Sequence, residues 1–308
     1  MKTRSVVLGI VLFSSIASAQ SPLVKNQVKA SDGHVLALWS KRPTAAPTGT
    51  ILLLHGRTWG ALPNFDLHVK GGVQVSVMDA LVAKGYAVYA LDQRGHGATP
   101  RDASGWLTPQ RAELDAAESL DWIARQAPAA TNGARPALLG YSRGSVTALL
   151  TAQTHPAKMS GVILYAFAYN ITAEHQAIPD QDKPLRARTT AEAAGEDFLT
   201  PETTPPGAKD AYVKAALASD PVRNDWRREE QFWALDPSQI RVPTMLLNGD
   251  RDPIAANASL GEFFSRLATA DRWWVVLANS DHVAHLERQR EFVQAVVSFM
   301  ERPVATRH

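Results

Sequence analysis

The sequence predicts an α/β fold: a mostly parallel sheet of about eight strands with helices on both faces, plus a helical cap insertion. Three observations predict it. From residue 50 onward, short apolar runs of strand length alternate with longer helical patterns. The runs are apolar without polar alternation, as strands buried on both faces are. One long interval, residues 170–236, breaks the rhythm and carries no strand pattern.

The elements follow in order. Residues 24–29 and 35–39 flank Ser31-Asp32-Gly33-His34 and read as an N-terminal hairpin at the edge of the sheet. TILLL (50–54) is a buried strand, and AVYAL (87–91) is the next, after a helix near 77–84 that Gly85 closes. Thr108-Pro109 opens a helix running to about Gln126, with Thr108 as cap and Pro109 in its first turn. Strand residues 136–139 lead into Gly140-Tyr141-Ser142-Arg143-Gly144, and 146–153 read as helix. GVILYAF (161–167), TMLLN (244–248) and WWVVL (273–277) complete the strands, and 287–300 form a final amphipathic helix.

The interval 170–236 holds Pro201, Pro205, Pro206 and Gly207 and a bulky cluster, Trp226, Phe232 and Trp233. A structureless loop of that length is implausible, so it reads as a mostly helical insertion lying over the carboxyl ends of the strands, where open α/β sheets bind ligands. The expected division is therefore a core of residues 20–169 and 237–308 with a cap at 170–236.

Residues 1–19 stand apart. Lys2 and Arg4 precede an apolar run from Val6 to Phe13, and Ala17-Ser18-Ala19 offers small residues at a cleavage site, the pattern of a secretory signal peptide. The expectation is export after cleavage near Ala19, to a periplasm or the medium. No run approaches the ~20 apolar residues that span a bilayer, so no stable membrane insertion is expected. Cleavage removes two basic residues and no acid, leaving 30 basic against 30 acidic. Without a basic block, nucleic acid is not an expected partner, and a small-molecule substrate is. The absence of cysteine excludes disulfides and a thiol nucleophile.

Ser142 follows a strand and opens a helix, the setting of a nucleophile elbow. The helix N-terminus and the backbone N–H of Arg143 would face a developing oxyanion. A serine needs a base, and the base an acid that fixes its tautomer. Candidates stand after the next strands in order: Gly249-Asp250-Arg251-Asp252 after TMLLN, and Asp281-His282-Val283-Ala284-His285-Leu286-Glu287 after WWVVL. All lie at carboxyl strand ends, where they can converge.

With His55-Gly56-Arg57 and Asp92-Gln93-Arg94-Gly95-His96-Gly97 these segments make four ordered motifs over which the chain resembles the α/β-hydrolase fold superfamily, across nearly all of residues 20–308. The resemblance implies a cofactor-free hydrolase with catalytic Ser142, Asp252 and His282, and an oxyanion hole from the N–H groups of Arg57 and Arg143. It favours Asp252 over Asp250 as the acid, and the first histidine of H-x-x-H-L-E, His282, over His285, which would flank the last helix. His55, Arg94 and His96 would shape the floor. His34, His68, His155 and His175 show no metal spacing, so no metal site is expected.

The expected activity is cleavage of a carboxylic ester or related acyl bond through an acyl-enzyme. Trp59, Trp226, Phe232 and Trp233 are candidate pocket residues, the last three with the rival reading that they pack the cap onto the core. A prolyl-iminopeptidase-like aminopeptidase is the alternative, for which Glu174, Glu192 and Glu229 are available to hold an amine; a ligand-binding protein without catalysis is another.

Overall fold

A computed structural model describes residues 22–71, 73–126, 135–167, 189–220 and 226–303. The expected signal peptide and the first part of the expected cap, residues 170–188, lie outside them.

Strands β1 (Val24–Lys29) and β2 (Val35–Lys41) pair as an antiparallel hairpin with Lys29 opposite Val35, and β2 runs antiparallel to β4 (Tyr86–Leu91). The rest of the sheet is parallel: β3 (Gly49–Leu54), β4, β5 (Ala137–Tyr141), β6 (Val162–Tyr165), β7 (Thr244–Gly249) and β8 (Arg272–Leu277). The spatial order is β1-β2-β4-β3-β5-β6-β7-β8. The chain leaves β3 to one side, for β4, and returns on the other, for β5. That reversal opens a crevice at the carboxyl ends of β3 and β5, where His55-Gly56-Arg57 and Ser142 begin.

Alternate strand residues divide between the two faces. Ile51, Leu53, Val88, Leu139, Ile163 and Met245 pack with α1 (Ala61–Phe65), α2 (Val77–Ala83) and the last helix. Leu52, Leu54, Tyr89, Leu138, Leu164 and Leu246 face the other way, against α3 (Pro109–Gln126) and α4 (Arg143–Thr154). Every named strand residue is fully or nearly fully buried, which is why these strands read as unbroken apolar runs. The Ser76 hydroxyl caps α2 by accepting from Asp79 N–H at 3.0 Å, and Thr108 does the same for α3 from Arg111 N–H at 3.3 Å.

Between β6 and β7 the described residues hold α5 (Ala191–Ala194), α6 (Ala208–Ser219) and two 3-10 turns, Glu229–Ala234 and Pro237–Gln239. Their single sheet-like contact is a bridge from Trp226 to Leu107. Helix α6 docks on α1, with the Tyr212 hydroxyl donating to Asn64 Oδ1 at 3.1 Å. Phe198, Tyr212 and Ala216 form an apolar cluster there with Trp59, Leu67 and Val283.

Three differences from the sequence expectation have local causes. Helix α7 (Asn257–Arg266) lies between β7 and β8; Gly261 interrupts its pattern, yet Leu260 and Phe263 seat it on the core. Five-residue α1 is too short to carry a period. The expected helix 287–300 is α9 (Gln289–Met300), and its first residue, Glu287, ends a separate short helix, α8 (Ala284–Glu287); the two are divided at Arg288, whose Nε donates to the Ala278 carbonyl at 2.9 Å.

Candidate active site

Ser142 sits between β5 and α4 at φ 52° and ψ −120°, a conformation that costs a non-glycine residue roughly 1–3 kcal/mol. Its neighbours hold it there. The Ser142 N–H donates to the Tyr165 carbonyl at 2.9 Å, and its carbonyl accepts from the N–H and Oγ of Ser145 at 2.9 and 2.5 Å. The flanking glycines permit the approach of backbone to backbone: a Cβ on Gly140 would lie 2.1 Å from the Gly144 carbonyl oxygen, and one on Gly144 2.3 Å from that of His55.

The loop after β8 delivers His282, whose Nδ1 stands 2.8 Å from Asp252 Oδ2. The other oxygen, Oδ1, accepts from the N–H groups of Ile254 and Ala255 at 2.9 and 3.2 Å. Asp252 is therefore an acceptor throughout, Nδ1 carries the proton, and Nε2 is left with its lone pair. Burial opposes charge on His282, but the Asp252 hydrogen bond and its negative charge prevail and raise its pKa above 6.5. Its ring leans on that of Tyr141, centroids 5.2 Å apart, and its carbonyl lies 2.9 Å from the Tyr165 hydroxyl.

The rival residues have other partners. Asp250 is exposed, and its Oδ1 accepts from Ser280 N–H at 3.1 Å. His285 is wholly buried in α8 with Nδ1 2.9 Å from the Tyr165 hydroxyl, and burial pushes its pKa down to about 3. It stays neutral.

The oxyanion side carries an arrangement that the motifs did not disclose. Glu229, at the start of a 3-10 turn, accepts from Nη1 and Nη2 of Arg57 at 2.9 and 2.8 Å and forms an ion pair with Arg143 Nη2 at 2.9 Å. Burial alone would raise the Glu229 pKa; the Arg57 hydrogen bonds and the Arg143 charge hold it below the usual carboxylate value. The Arg57 carbonyl meets Trp226 Nε1 at 3.3 Å and His96 Nε2 at 3.1 Å. The Arg143 guanidinium also lies 5.4 Å from the centre of the Phe232 ring. The one signal in the sequence was Arg143 itself, a cation beside the nucleophile that needs an acid.

Trp226 and Phe232, at 2% and 1% exposure, pack into the core cluster beside Leu107 and Val146. They anchor their segment to the core, and Trp233 is half-buried. Trp59 is turned into the cluster with Phe198, Tyr212 and Val283, next to His282. His55 and His96 stack edge to face below the Arg57 loop at 5.0 Å, and burial pushes both pKa values down, that of His96 to about 4. Arg94, also buried, ties Asp115 of α3 to Asp32 of the hairpin turn at 2.9 and 2.8 Å.

Two acidic features also escaped the sequence reading. Asp197 reaches to 3.5 Å of the Tyr141 hydroxyl; burial raises its pKa against the opposing charge of His282. Asp281 and Glu287 adjoin behind His282: Asp281 N–H donates to Glu287 at 2.7 Å, Thr200 N–H donates to Asp281 at 2.5 Å, and Thr203 Oγ1 donates to Glu287. Burial, aided by Asp281, lifts the Glu287 pKa to about 7.

Residues 45–289 match the family model described as serine aminopeptidase, S33. A relative from Metapseudomonas resinovorans, 2-hydroxy-6-oxo-6-(2'-aminophenyl)hexa-2,4-dienoic acid hydrolase, is 24% identical over 236 residues, 72% of this chain and 76% of that one. Among solved structures, a serine hydrolase involved in carbazole degradation superposes with a TM-score of 0.65 at 18% identity, over 91% of this chain and 99% of that one. A hydrolase from Pseudomonas aeruginosa gives 0.63 at 21% identity, over 90% and 98%. At such identities the structural likeness establishes the fold.

Proposed function

The chain belongs to the serine aminopeptidase, S33, family of α/β hydrolases, and from that premise we propose that it is a serine hydrolase cleaving a carboxylic ester or related acyl bond of a small molecule. The observation that carries this reading is the pairing of a strained serine elbow with a buried histidine whose Nδ1 is held by a carboxylate at 2.8 Å.

In this reading Ser142 Oγ attacks the acyl carbon while His282 Nε2 takes its proton. The tetrahedral oxyanion is received by the N–H groups of Arg57 and Arg143. His282 then gives the proton to the leaving oxygen, which departs. Water adds to the acyl-enzyme by the same route, releasing the acid and restoring Ser142. Asp252 stabilises the transient imidazolium and keeps Nε2 toward the serine.

Ser142→Ala is expected to reduce p-nitrophenyl ester hydrolysis by about 10³-fold or more. A variant retaining full activity refutes the mechanism. A fluorophosphonate probe should label the wild type and not the variant.

One observation favours a second reading, an aminopeptidase. Of the carboxylates available for an amine, Glu229 is engaged by two arginines, Glu192 is exposed and Glu174 lies outside the described residues. Asp197 stands near His282 with the Tyr141 hydroxyl 3.5 Å away. Faster turnover of a proline arylamide than of short-chain esters, abolished by Asp197→Asn, would select this reading; the reverse ratio selects the esterase.

A further inference from the structure

The β6–β7 segment grips the loop after β3 at two points. Glu229 holds the Arg57 side chain through a two-pronged ion pair, and Trp226 donates to the Arg57 carbonyl. Next to Trp226, Arg227 N–H donates to the Leu107 carbonyl ahead of α3 at 2.9 Å. The same Glu229 carboxylate reaches Arg143, the residue after the elbow serine. One acid thus joins the two residues whose peptide N–H groups would receive the oxyanion, although it lies 172 residues from one of them.

From this arrangement we infer that Glu229 is a positioning residue: a carboxylate brought by the β6–β7 segment that sets the peptide N–H of Arg57 for oxyanion binding. The inference rests on the serine-hydrolase reading. The two donors have unequal need of such help. The N–H of Arg143 begins α4 and is aimed by the helix. That of Arg57 belongs to a loop whose following residues, Trp59 and Gly60, take φ of 77° and 145°, so no regular element aims it.

The loop peptide is instead held from both ends. In a planar trans peptide the Arg57 N–H points opposite the Gly56 carbonyl, and His55 Nδ1 lies 2.9 Å from that carbonyl oxygen. On the other side His96 and Trp226 meet the Arg57 carbonyl, and Glu229 fixes the side chain. Removing the Glu229 grip frees the only side chain that leaves this peptide toward the β6–β7 segment. A carboxylate suits the task, since its two oxygens match the guanidinium fork and leave a lone pair for Arg143.

The test compares the full-length wild type with Glu229→Gln, Arg57→Ala and the double variant; Arg57→Ala keeps the peptide N–H and removes only the grip. Each preparation is first titrated with a fluorophosphonate, so that rates refer to folded, reactive serine. The expected result is a fall in kcat of about 10- to 100-fold for either single variant, with KM moving by less than about threefold. A trifluoromethyl ketone, which places an anionic oxygen in the hole once Ser142 adds to it, should lose affinity by a similar factor. The double variant should lose no more than Glu229→Gln alone, because Arg57→Ala removes a contact that Glu229→Gln has already weakened; a further loss in the double variant overturns the shared grip. Unchanged kcat and ketone affinity in Glu229→Gln, or a loss confined to KM, overturns the positioning role while the serine mechanism stands. A wild type that neither hydrolyses esters nor reacts with the probe overturns both.

Discussion

The two sides of the proposed reaction centre are held by different means. On the base side, His282, Asp252 and the Tyr165 hydroxyl that steadies their loop all come from the ends of neighbouring strands β6, β7 and β8, and the decisive bonds are buried. On the oxyanion side, the Arg57 loop depends on Glu229 and Trp226, which arrive from the long segment between β6 and β7. The base side is thus built into the sheet, whereas the oxyanion side takes contacts from a segment outside it. The parallel pairing of β7 with β8 fixes the first pair in register; an ion pair with 32% and 16% side-chain exposure fixes the second, and such a contact is weaker and more responsive to salt.

Breaking the base side should therefore have the largest effect. Asp252→Asn is expected to lower kcat/KM by about 10⁴-fold, because an amide can donate to Nδ1 and turn the proton onto Nε2, where the serine needs an acceptor. The measurement is ester hydrolysis, with a crystal structure to confirm that His282 has not moved. Full activity in this variant would transfer the role to Asp250, which the structure places on Ser280 instead.

The next effect is on pH dependence. His282 must be neutral to take the serine proton, and the Asp252 hydrogen bond, opposing burial, raises its pKa above 6.5. In the wild type kcat/KM should consequently rise with pH through a midpoint above 6.5 and level off once the imidazole is neutral. For stability the same raised pKa has the opposite direction: the contribution of the His282–Asp252 pair is full below the unfolded value and is lost as pH rises through the folded one. A pH–rate profile that levels off below 6.5 would contradict the assignment. Arg57→Ala should leave this midpoint in place while lowering the plateau, which sharpens the division between base side and oxyanion side.

How much was legible in the sequence follows the same division. Strands β3 to β7 announced themselves because burial on both faces makes an apolar run, edge strand β8 because WWVVL is apolar although only half-buried, and α3 because Thr108 and Pro109 mark its start. Ser142, Asp252 and His282 stand at or just after strand ends, and the structure pairs Asp252 with His282 as their order along the chain implied. Glu229 was visible only as one of several acids. Its contact with Arg57 bridges two loops with no common period, and nothing in local spacing encodes a pairing of that kind. Trp226 and Phe232 were ambiguous for a related reason: apolar aromatics look alike in a pocket wall and in a packed seam, and only their burial beside Leu107 and Val146 separates the two. Asp281 and Glu287 were read as members of a motif, and their adjacency appears only once α8 turns the chain back on itself.

That acidic pair supplies the smallest effect, and it tests whether the β6–β7 segment also touches the base side. Thr200 and Thr203 of this segment donate to Asp281 and Glu287 directly behind His282. Two carboxylates in one partly buried site disfavour a second negative charge, so the folded protein keeps the Glu287 proton up to about pH 7, against an ordinary value of 4.5. A folded pKa above the unfolded one means that this group's contribution is full below about pH 4.5 and is lost as pH rises through about 7. Glu287→Gln retains an acceptor for Thr203 and carries no charge, so it should match the wild type in melting temperature at pH 5. At pH 8 it should exceed it by roughly 2 °C, a small value because Glu287 is partly exposed and screened. Equal pH dependence in the two proteins would mean that Asp281 and Glu287 are both ionised in the folded state, with Thr200 and Thr203 sufficient to satisfy them. A flatter profile in the variant would show instead that the segment closing the oxyanion side also senses proton uptake behind the base.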